Sequence, residues 1–523
     1  MEHHLVPFRK TKSFSQTFIV YIEQNPALKP FYNRFPILKN FEDQIKEKQA
    51  SFNPEYRNTL VSVLKAQYAS LKTTDLVTGN IEALGEENTF TVTTGHQLNI
   101  FTGPLYFIYK IVTVINACKK LKSAYPKYHF VPVYWMASED HDFEEISYFK
   151  LDGKKYKWTT AQTGAVGRFN PKELESLIKE VPGDIGLFKQ AYLKHNTLSD
   201  AVRYYVDGLF NEQGLVVVDA DDRQLKNSLR PVITNDLFEH SPHQRVKATD
   251  EALTQAGFAP QVHAREINFF YLDQHLRERL EKVDNHFEVV GTDLKFSKDE
   301  IEKIIEEQPE RFSPNVILRP LYQEMILPNL AYVGGPAEVV YWLQLKSVFE
   351  FFKVPFPMLM PRNFAMVFNG PMARKFEKIG LSLEDLFEDK NFLFNDWVLK
   401  NTHHNLTLTN EIKVVSERFN EIKTRAAEID PTLAPMIGAE QKRASNSLEK
   451  IEKKLLKAEK RLHSDKLRQI EEVKDFLFPN GSLQERTDNF LNFYQQDKQF
   501  IEKILAAFDP FDYQFNVLRY PIT

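Results

Sequence analysis

The sequence predicts a doubly wound α/β core with insertions, followed by an α-helical antiparallel coiled-coil domain. Three observations carry this reading. The β-branched run Thr89-Phe90-Thr91-Val92-Thr93-Thr94 stops at Gly95, an apolar helical stretch follows, and a second apolar run spans Phe130 to Met136. Strand, glycine turn, helix and strand form a βαβ unit, which requires parallel strands and a right-handed crossover. Apolar residues hold heptad spacing over much of 411–473, the pattern of paired helices. A single cysteine in 523 residues excludes internal disulfides and cysteine-ligated zinc or iron–sulfur sites.

Residues 1–87 read as a helical segment packing on the core. Asn25-Pro26, Lys29-Pro30 and Phe35-Pro36 mark turns, and Leu60, Val63 and Leu64 recur at helical spacing. The core is expected over 88–378. Its first helix, Leu105 to Leu121, buries Leu105, Ile108, Ile111, Val112 and Ile115. Further strand candidates are 215–219, 268–272 and 357–360, and insertions are expected near 150–205 and 240–315. The coiled-coil domain is expected over 379–478. Ile412, Val415, Phe419, Ile422, Ala426 and Ile429 keep 3-4-3-4-3 spacing, and Ala444, Leu448, Ile451, Leu455, Ala458 and Leu462 repeat it. A turn from Asp430-Pro431 to Pro435–Gly438 would join the two helices, with a phase break before Leu467. The tail, 479–523, is rich in Phe and Tyr and is expected to pack back on the core.

Composition narrows the function classes. Lys plus Arg number 67 and Asp plus Glu 71, a net charge of −4, which suits neither a nucleic-acid-coating protein nor a polybasic membrane binder. No apolar run reaches the ~18 residues of a membrane span, and a chain with so little cysteine belongs in a reducing compartment. The expectation is a cytoplasmic protein with no nucleic-acid or membrane partner. Cys118 falls inside the first helix and reads as core packing.

Three clusters carry candidate chemistry. The first is Thr94-Gly95-His96-Gln97 with Asn99 and Gly103, at the carboxyl end of the first strand, where doubly wound folds bind ligands. The glycines would let the backbone approach a ligand, and the following helix would offer free N–H groups to an anion. It matches neither GxGxxG nor the P-loop pattern, and a tight turn with a surface histidine is the structural alternative. The second is Glu139-Asp140-His141-Asp142-Phe143-Glu144-Glu145, after the second strand. It could hold Mg²⁺ or a substrate amine, or supply a general base; an acidic helix start is the alternative. The third runs from Arg319 through Asn329, Tyr332, Gly334, Gly335 and Glu338 to Tyr341, with Arg362 after the last core strand. Glycines before a helix suggest a nest, and arginine suits a carboxylate or phosphate; a buried structural turn is the alternative.

The runs TGHQLNIFTGPLY (94–106), ASEDHDFEEIS (137–147), LRPLYQEMILPNLAYVGGPAEVVYW (318–342), PMLMPR (357–362) and FPNGSLQER (478–486) resemble the bacillithiol biosynthesis cysteine-adding family, the cysteine ligases. The order and spacing fit along most of the chain. The family usually has TGQQ where this chain has TGHQ. The resemblance implies a Rossmann-type core akin to class I aminoacyl-tRNA synthetases, connecting-peptide insertions and a homodimer formed through the coiled coil. It implies a ligase that adds L-cysteine to the amine of glucosaminyl malate, giving the low-molecular-weight thiol bacillithiol.

On that footing ATP or ADP, with Mg²⁺ as a possible companion, is the expected cofactor. Thr94, Gly95, Gly103, Gly334, Gly335 and Glu338 would bind nucleotide, and a second nucleotide pocket would form around Asn480, Gly481 and Arg486. Asp140, His141, Asp142 and His96 are the catalytic candidates. Gln97, Asn99, Arg319, Asn329, Tyr332 and Arg362 would contact substrate, the arginines taking the malate carboxylates. The Lys-Met-Ser-Lys-Ser loop of synthetases is missing after Arg362, and with one cysteine no cysteine-ligated zinc can select the thiol. The rival reading is a non-catalytic, ligand-binding dimeric scaffold of the same pathway.

Overall fold

A computed structural model describes residues 1–521. Its centre is a five-stranded sheet of β1 (Thr89–His96), β2 (His129–Met136), β3 (Val216–Asp219), β4 (Asn329–Gly334) and β5 (Met358–Pro361). The order is β5-β4-β1-β2-β3 and every neighbouring pair is parallel. The chain lays down β1 to β3 outward in one direction, then returns to the other side of β1 for β4 and β5. Strand order therefore reverses between β1 and β4, and a crevice opens beyond their carboxyl ends.

Strand β1 is buried along its whole length, which explains why its sequence is continuously β-branched and apolar rather than alternating. Helix α1 (Tyr106–Ala124) covers β1 and β2. Cys118 on α1 is buried beside Val92 and Phe130, in the core as expected. Helix α2 (Arg319–Ile326) leads into β4, and α3 (Pro336–Trp342) leaves it. Strand β4 escaped the sequence reading, because its Pro-Asn start and Gly-Gly end look like a loop.

Several expectations are corrected. The candidate at 268–272 forms a strand, Phe269–Asp273, but outside the core sheet. It belongs to a five-stranded antiparallel sheet made from the predicted 240–315 insertion. Apolar runs look alike in either setting, and only pairing partners separate them. The N-terminal segment is not wholly helical: Glu2–Val6 pairs with Phe515–Arg519, which in turn pairs with Phe364–Phe368. This small sheet ties both ends of the chain to the junction of core and coiled coil. The 150–205 insertion contains a hairpin (Tyr148–Leu151 with Lys154–Lys157) and three short helices.

The hairpin consists of α4 (Thr409–Ile429) and α5 (Leu433–Leu462), with α6 (Ser464–Leu477) after a break at His463. The turn is shorter than predicted, only Asp430 to Thr432. Pro435 and Gly438 lie inside α5, because a proline in the first helical turn sacrifices no hydrogen bond. Among the described residues no helix is long and apolar enough to cross a membrane.

Candidate active site

A cleft of about 410 Å³ lies at the strand-order reversal, lined by Gly95, His96 and Gln97 at the end of β1, residues 135–140 at and just beyond the end of β2, and Tyr332 and Gly335–Glu338 from β4 and the start of α3. Arg277, Arg319, Arg362 and Arg486 reach it from four other segments. The three clusters singled out in the sequence thus meet at one place.

Thr94 donates its hydroxyl to the Val333 carbonyl at 2.7 Å, stitching β1 to β4. A Cβ at Gly95 would sit 3.3 Å from the Tyr332 hydroxyl and 3.6 Å from Arg319 Nη1, so glycine keeps the space before both groups open. Beneath it, Lys110 of α1 donates to the Gly95 carbonyl at 2.8 Å and pairs with Glu338 at 2.6 Å. Glu338 also accepts from Tyr332 Oη at 2.6 Å and from the Gly335 N–H at 2.7 Å. Burial works against its charge, but Lys110 and these donors hold the carboxyl below its usual range. The Gly334-Gly335 nest is therefore filled by the chain's own Glu338. Lys110 was missed in the sequence; a lone lysine inside Phe107–Cys118, otherwise apolar or weakly polar, was the available signal.

Arg319 lies 5.6 Å from the Tyr332 ring and 5.9 Å from Trp135. Its Nη1 donates to Gln323 at 3.1 Å, while Nη2 is buried without a well-aligned hydrogen bond among the described residues, and the Tyr341 hydroxyl stands close enough to act on the charge. Arg362 differs. It is 2% exposed and bound by both oxygens of Glu485, at 3.0 and 2.6 Å. Its charge is neutralised within the chain, which leaves Arg319 the better clamp for a substrate anion. Glu485 stands 123 positions away in sequence, so no local pattern could show the pairing.

At the end of β2 the acidic cluster divides. Asp140 accepts from Gln97 Nε2 at 2.5 Å, Arg277 at 3.3 Å and the His141 N–H at 2.7 Å. Burial opposes its charge, yet Arg277 and these donors hold it below the ordinary value. His141 Nδ1 accepts from Arg277 at 2.5 Å; burial and that cation push the imidazole down. Asp142 caps the short helix Phe143–Ile146 and faces solvent outside the cleft. His96 is 8% exposed and hydrogen-bonds the Gln97 carbonyl through Nδ1 at 2.8 Å. Burial, then Lys110, lowers it to about 3, so it is neutral at working pH.

Other candidates lie apart from the cleft. Asn329 is buried, accepting from Thr91 and Thr93 and donating to Glu324. Asn99 is 5% exposed and donates to the Glu145 carbonyl. Gly103 does not line the cleft; its φ of +62° and an Asn99 side chain 2.5 Å from any added Cβ account for the glycine. Phe101 and Thr102 also have positive φ, 52° and 70°. Asn489 clamps this strained stretch by donating to the Phe101 and Gly103 carbonyls. The start of α1 is not an open anion site. The N–H groups of Leu105, Phe107 and Ile108 already donate to Asp488, Pro104 and Leu105 carbonyls.

Asn480 lies in a second cavity of about 720 Å³, where the foot of the coiled coil meets the tail. Lys12, Lys390, Lys474 and Gly481 line it too, and Arg486 lines both cavities.

Comparison with known proteins matches the chain to two family models. They are bacillithiol biosynthesis BshC, N-terminal Rossmann-like domain, over residues 1–363, and bacillithiol biosynthesis BshC, C-terminal coiled-coil domain, over 365–520. A protein of Flavobacterium johnsoniae is 42% identical, with 98% of this chain and 99% of the relative aligned. One of Christiangramia forsetii is 41% identical over 99% of both, and one of Staphylococcus haemolyticus 27% identical over 94% and 95%. Each bears the name "Putative cysteine ligase BshC". Matched end to end by both models and by close relatives, with a cleft at the strand-order reversal and a heptad hairpin behind it, the chain belongs to the bacillithiol biosynthesis BshC family.

Proposed function

We propose that this chain is a cytoplasmic ligase joining the carboxylate of L-cysteine to the amine of glucosaminyl malate, with ATP activating the carboxylate. The observation that supports this most directly is the buried Arg319, whose Nη2 makes no well-aligned hydrogen bond among the described residues, in a cleft that also presents the anionic Asp140 and Glu338. Such a cation suits a carboxylate or phosphate, and a firmly ionised Asp140 suits an ammonium group.

Forming an amide from a free carboxylate in water is uphill, so the acyl group must be activated. When bound, ATP would supply that activation as an acyl-adenylate. The space kept open at Gly95, with Arg319 and Arg486 on the cleft wall, suits phosphate oxygens better than the occupied start of α1. Among the described residues no group of three or more His, Cys, Asp or Glu is arranged to hold a metal ion. Magnesium accompanying ATP would be held mainly by phosphate and water. His96, uncharged in the cleft wall, suits a thiol neighbour better than an anion. In the second cavity Lys12 and Lys390 are paired with Glu388, Glu471 and Asp475, which leaves Lys474 and Arg486 as the cations that suit a further nucleotide.

Homodimerisation through the hairpin is part of the same reading. On α5 Met436, Ile451, Leu455 and Leu462 fall on one helical face and are 57%, 47%, 37% and 73% exposed, and Ile429 at the end of α4 is 84% exposed, an apolar stripe that a second copy would cover.

The test supplies purified protein with cysteine, glucosaminyl malate and ATP. Bacillithiol with AMP is expected. ADP with phosphate would replace adenylation by acyl-phosphate chemistry, and product without nucleotide would overturn the activation scheme. Ligand binding with no product would establish the scaffold.

A further inference from the structure

Beside the cleft runs a chain of charges that the reading above does not use. Arg168 holds Asp221 through Nε at 2.9 Å and Nη2 at 3.1 Å. Asp221 accepts from Lys226 at 3.3 Å, and Lys226, 0% exposed, forms an ion pair with Glu139 Oε1. Glu139 is 9% exposed, directly follows Ser138 at the end of β2 and lines the cleft. A fully buried lysine costs stability unless it is paired; this one is shared among Glu139, Asp221 and the Glu310 carbonyl, and of the three only Glu139 lines the cleft.

We infer that Glu139 is the base that takes the proton shed by the attacking amine, and that Lys226, fixed by Asp221 and Arg168, is the positioning group that keeps this carboxylate ionised. The inference rests on the reading that an amine attacks an activated acyl group in this cleft. As the nitrogen–carbon bond forms, the acyl carbon–oxygen bond breaks and AMP leaves with its electron pair. One proton passes from nitrogen to Glu139, which returns it to water.

The other groups are less suited. Asp140 and Glu338 are each held by at least three donors, including a buried cation. His141 has its Nδ1 occupied by Arg277, and His96 is too weak a base. Asp142 lies outside the cleft. Glu145 lines the cleft but faces solvent, and it is the rival to be tested. The charged and titratable groups that act on Glu139 are Lys226, Asp221 and Arg277, with Tyr322 and the adjacent Asp140 close by. Burial raises the Glu139 carboxyl to about 6, against the pull of Lys226, near the range where a base works best at neutral pH.

The experiment follows bacillithiol formation against pH for the wild type and for Glu139→Gln, Glu139→Asp, Asp221→Asn, Lys226→Met and Glu145→Gln, each checked for folding by circular dichroism. The wild-type rate should rise through about pH 6 as Glu139 ionises. Glu139→Gln should lower kcat by roughly 10²–10⁴-fold with little change in KM for cysteine, and Glu139→Asp should restore part of it. Asp221→Asn removes a neighbouring negative charge and should move the acid limb to lower pH. Lys226→Met removes the cation and should move it to higher pH; if that variant does not fold, the Asp221→Asn shift alone decides. A Glu139→Gln enzyme with the wild-type rate, an unmoved limb in Asp221→Asn, or a limb that disappears with Glu145→Gln would each overturn the inference. A wild-type protein that makes no bacillithiol with ATP would instead refute the underlying reading.

Discussion

The cleft and the coiled-coil hairpin use the same charged residue types to opposite ends. In and beside the cleft, Lys110, Arg362 and Lys226 are each at most 4% exposed and each meets a carboxylate. On the hairpin, Arg418–Glu421 and Arg443–Glu440 are exposed pairs one helical turn apart. Water screens the hairpin pairs and side-chain entropy offsets their attraction, so each contributes little. The buried pairs gave up hydration to form, and removing one partner strands an uncompensated charge in a poorly polarisable interior. The lesson is that charge density along the sequence says little; burial decides whether a charge is solvated, structural or available to a ligand.

The comparison can be tested from its strongest point downward. Arg319→Met removes a buried cleft cation that no carboxylate among the described residues pairs with, and should lower kcat/KM by at least about 100-fold, the loss of one charge-assisted contact of roughly 3 kcal/mol. Circular dichroism should show a folded protein, since no carboxylate loses its partner. Glu485→Gln leaves Arg362 buried without its bidentate partner and should destabilise by about 3–5 kcal/mol, read from urea unfolding. Comparable stability in Arg319→Met and Glu485→Gln would erase the distinction drawn between the two arginines.

Further down the scale, Ile429→Glu with Leu462→Glu places charges on exposed apolar positions of the hairpin. Sedimentation should show loss of dimer with the core still folded; unchanged mass would remove the hairpin from the interface. Asp488 offers a pH test. Burial raises its carboxyl from 3.8 to about 7. Between those values the unfolded chain has released a proton that the folded chain retains, so this group makes stability fall as pH rises from about 4 to 7. Asp488→Asn should flatten that part of the melting-temperature profile. Arg418→Ala should leave the melting temperature unchanged within error.

Much of the core was legible because its signals are local. Thr89 to Thr94 and Phe130 to Met136 are strands buried on both faces, so their sequences are apolar throughout. Gly95, read as the stop of the run, lies one residue before the end of β1, still paired with Trp135, where Tyr332 and Arg319 approach. The heptads of α4 and α5 also read correctly, since a helical stripe repeats within a few residues. The strand at 269–273 was legible as a strand but not as part of another sheet. Lys110 and Arg277 reach the cleft from segments whose local patterns look like ordinary core or surface, whereas Glu139 and Tyr341 stood in the polar clusters without a role that spacing could assign.

What residues and spacing determined unaided was the order of elements: a βαβ start, the insertions, the heptad hairpin, and polar clusters at strand ends. Periodicity and turn chemistry act over a few residues, so they survive in a linear string. Tertiary structure alone decided which cluster members share a cleft, that Glu485 claims Arg362 while no carboxylate among the described residues claims Arg319, and that Lys226 is driven against Glu139. Those outcomes depend on distance and dielectric between groups far apart along the chain, and both quantities come into being only when the chain folds.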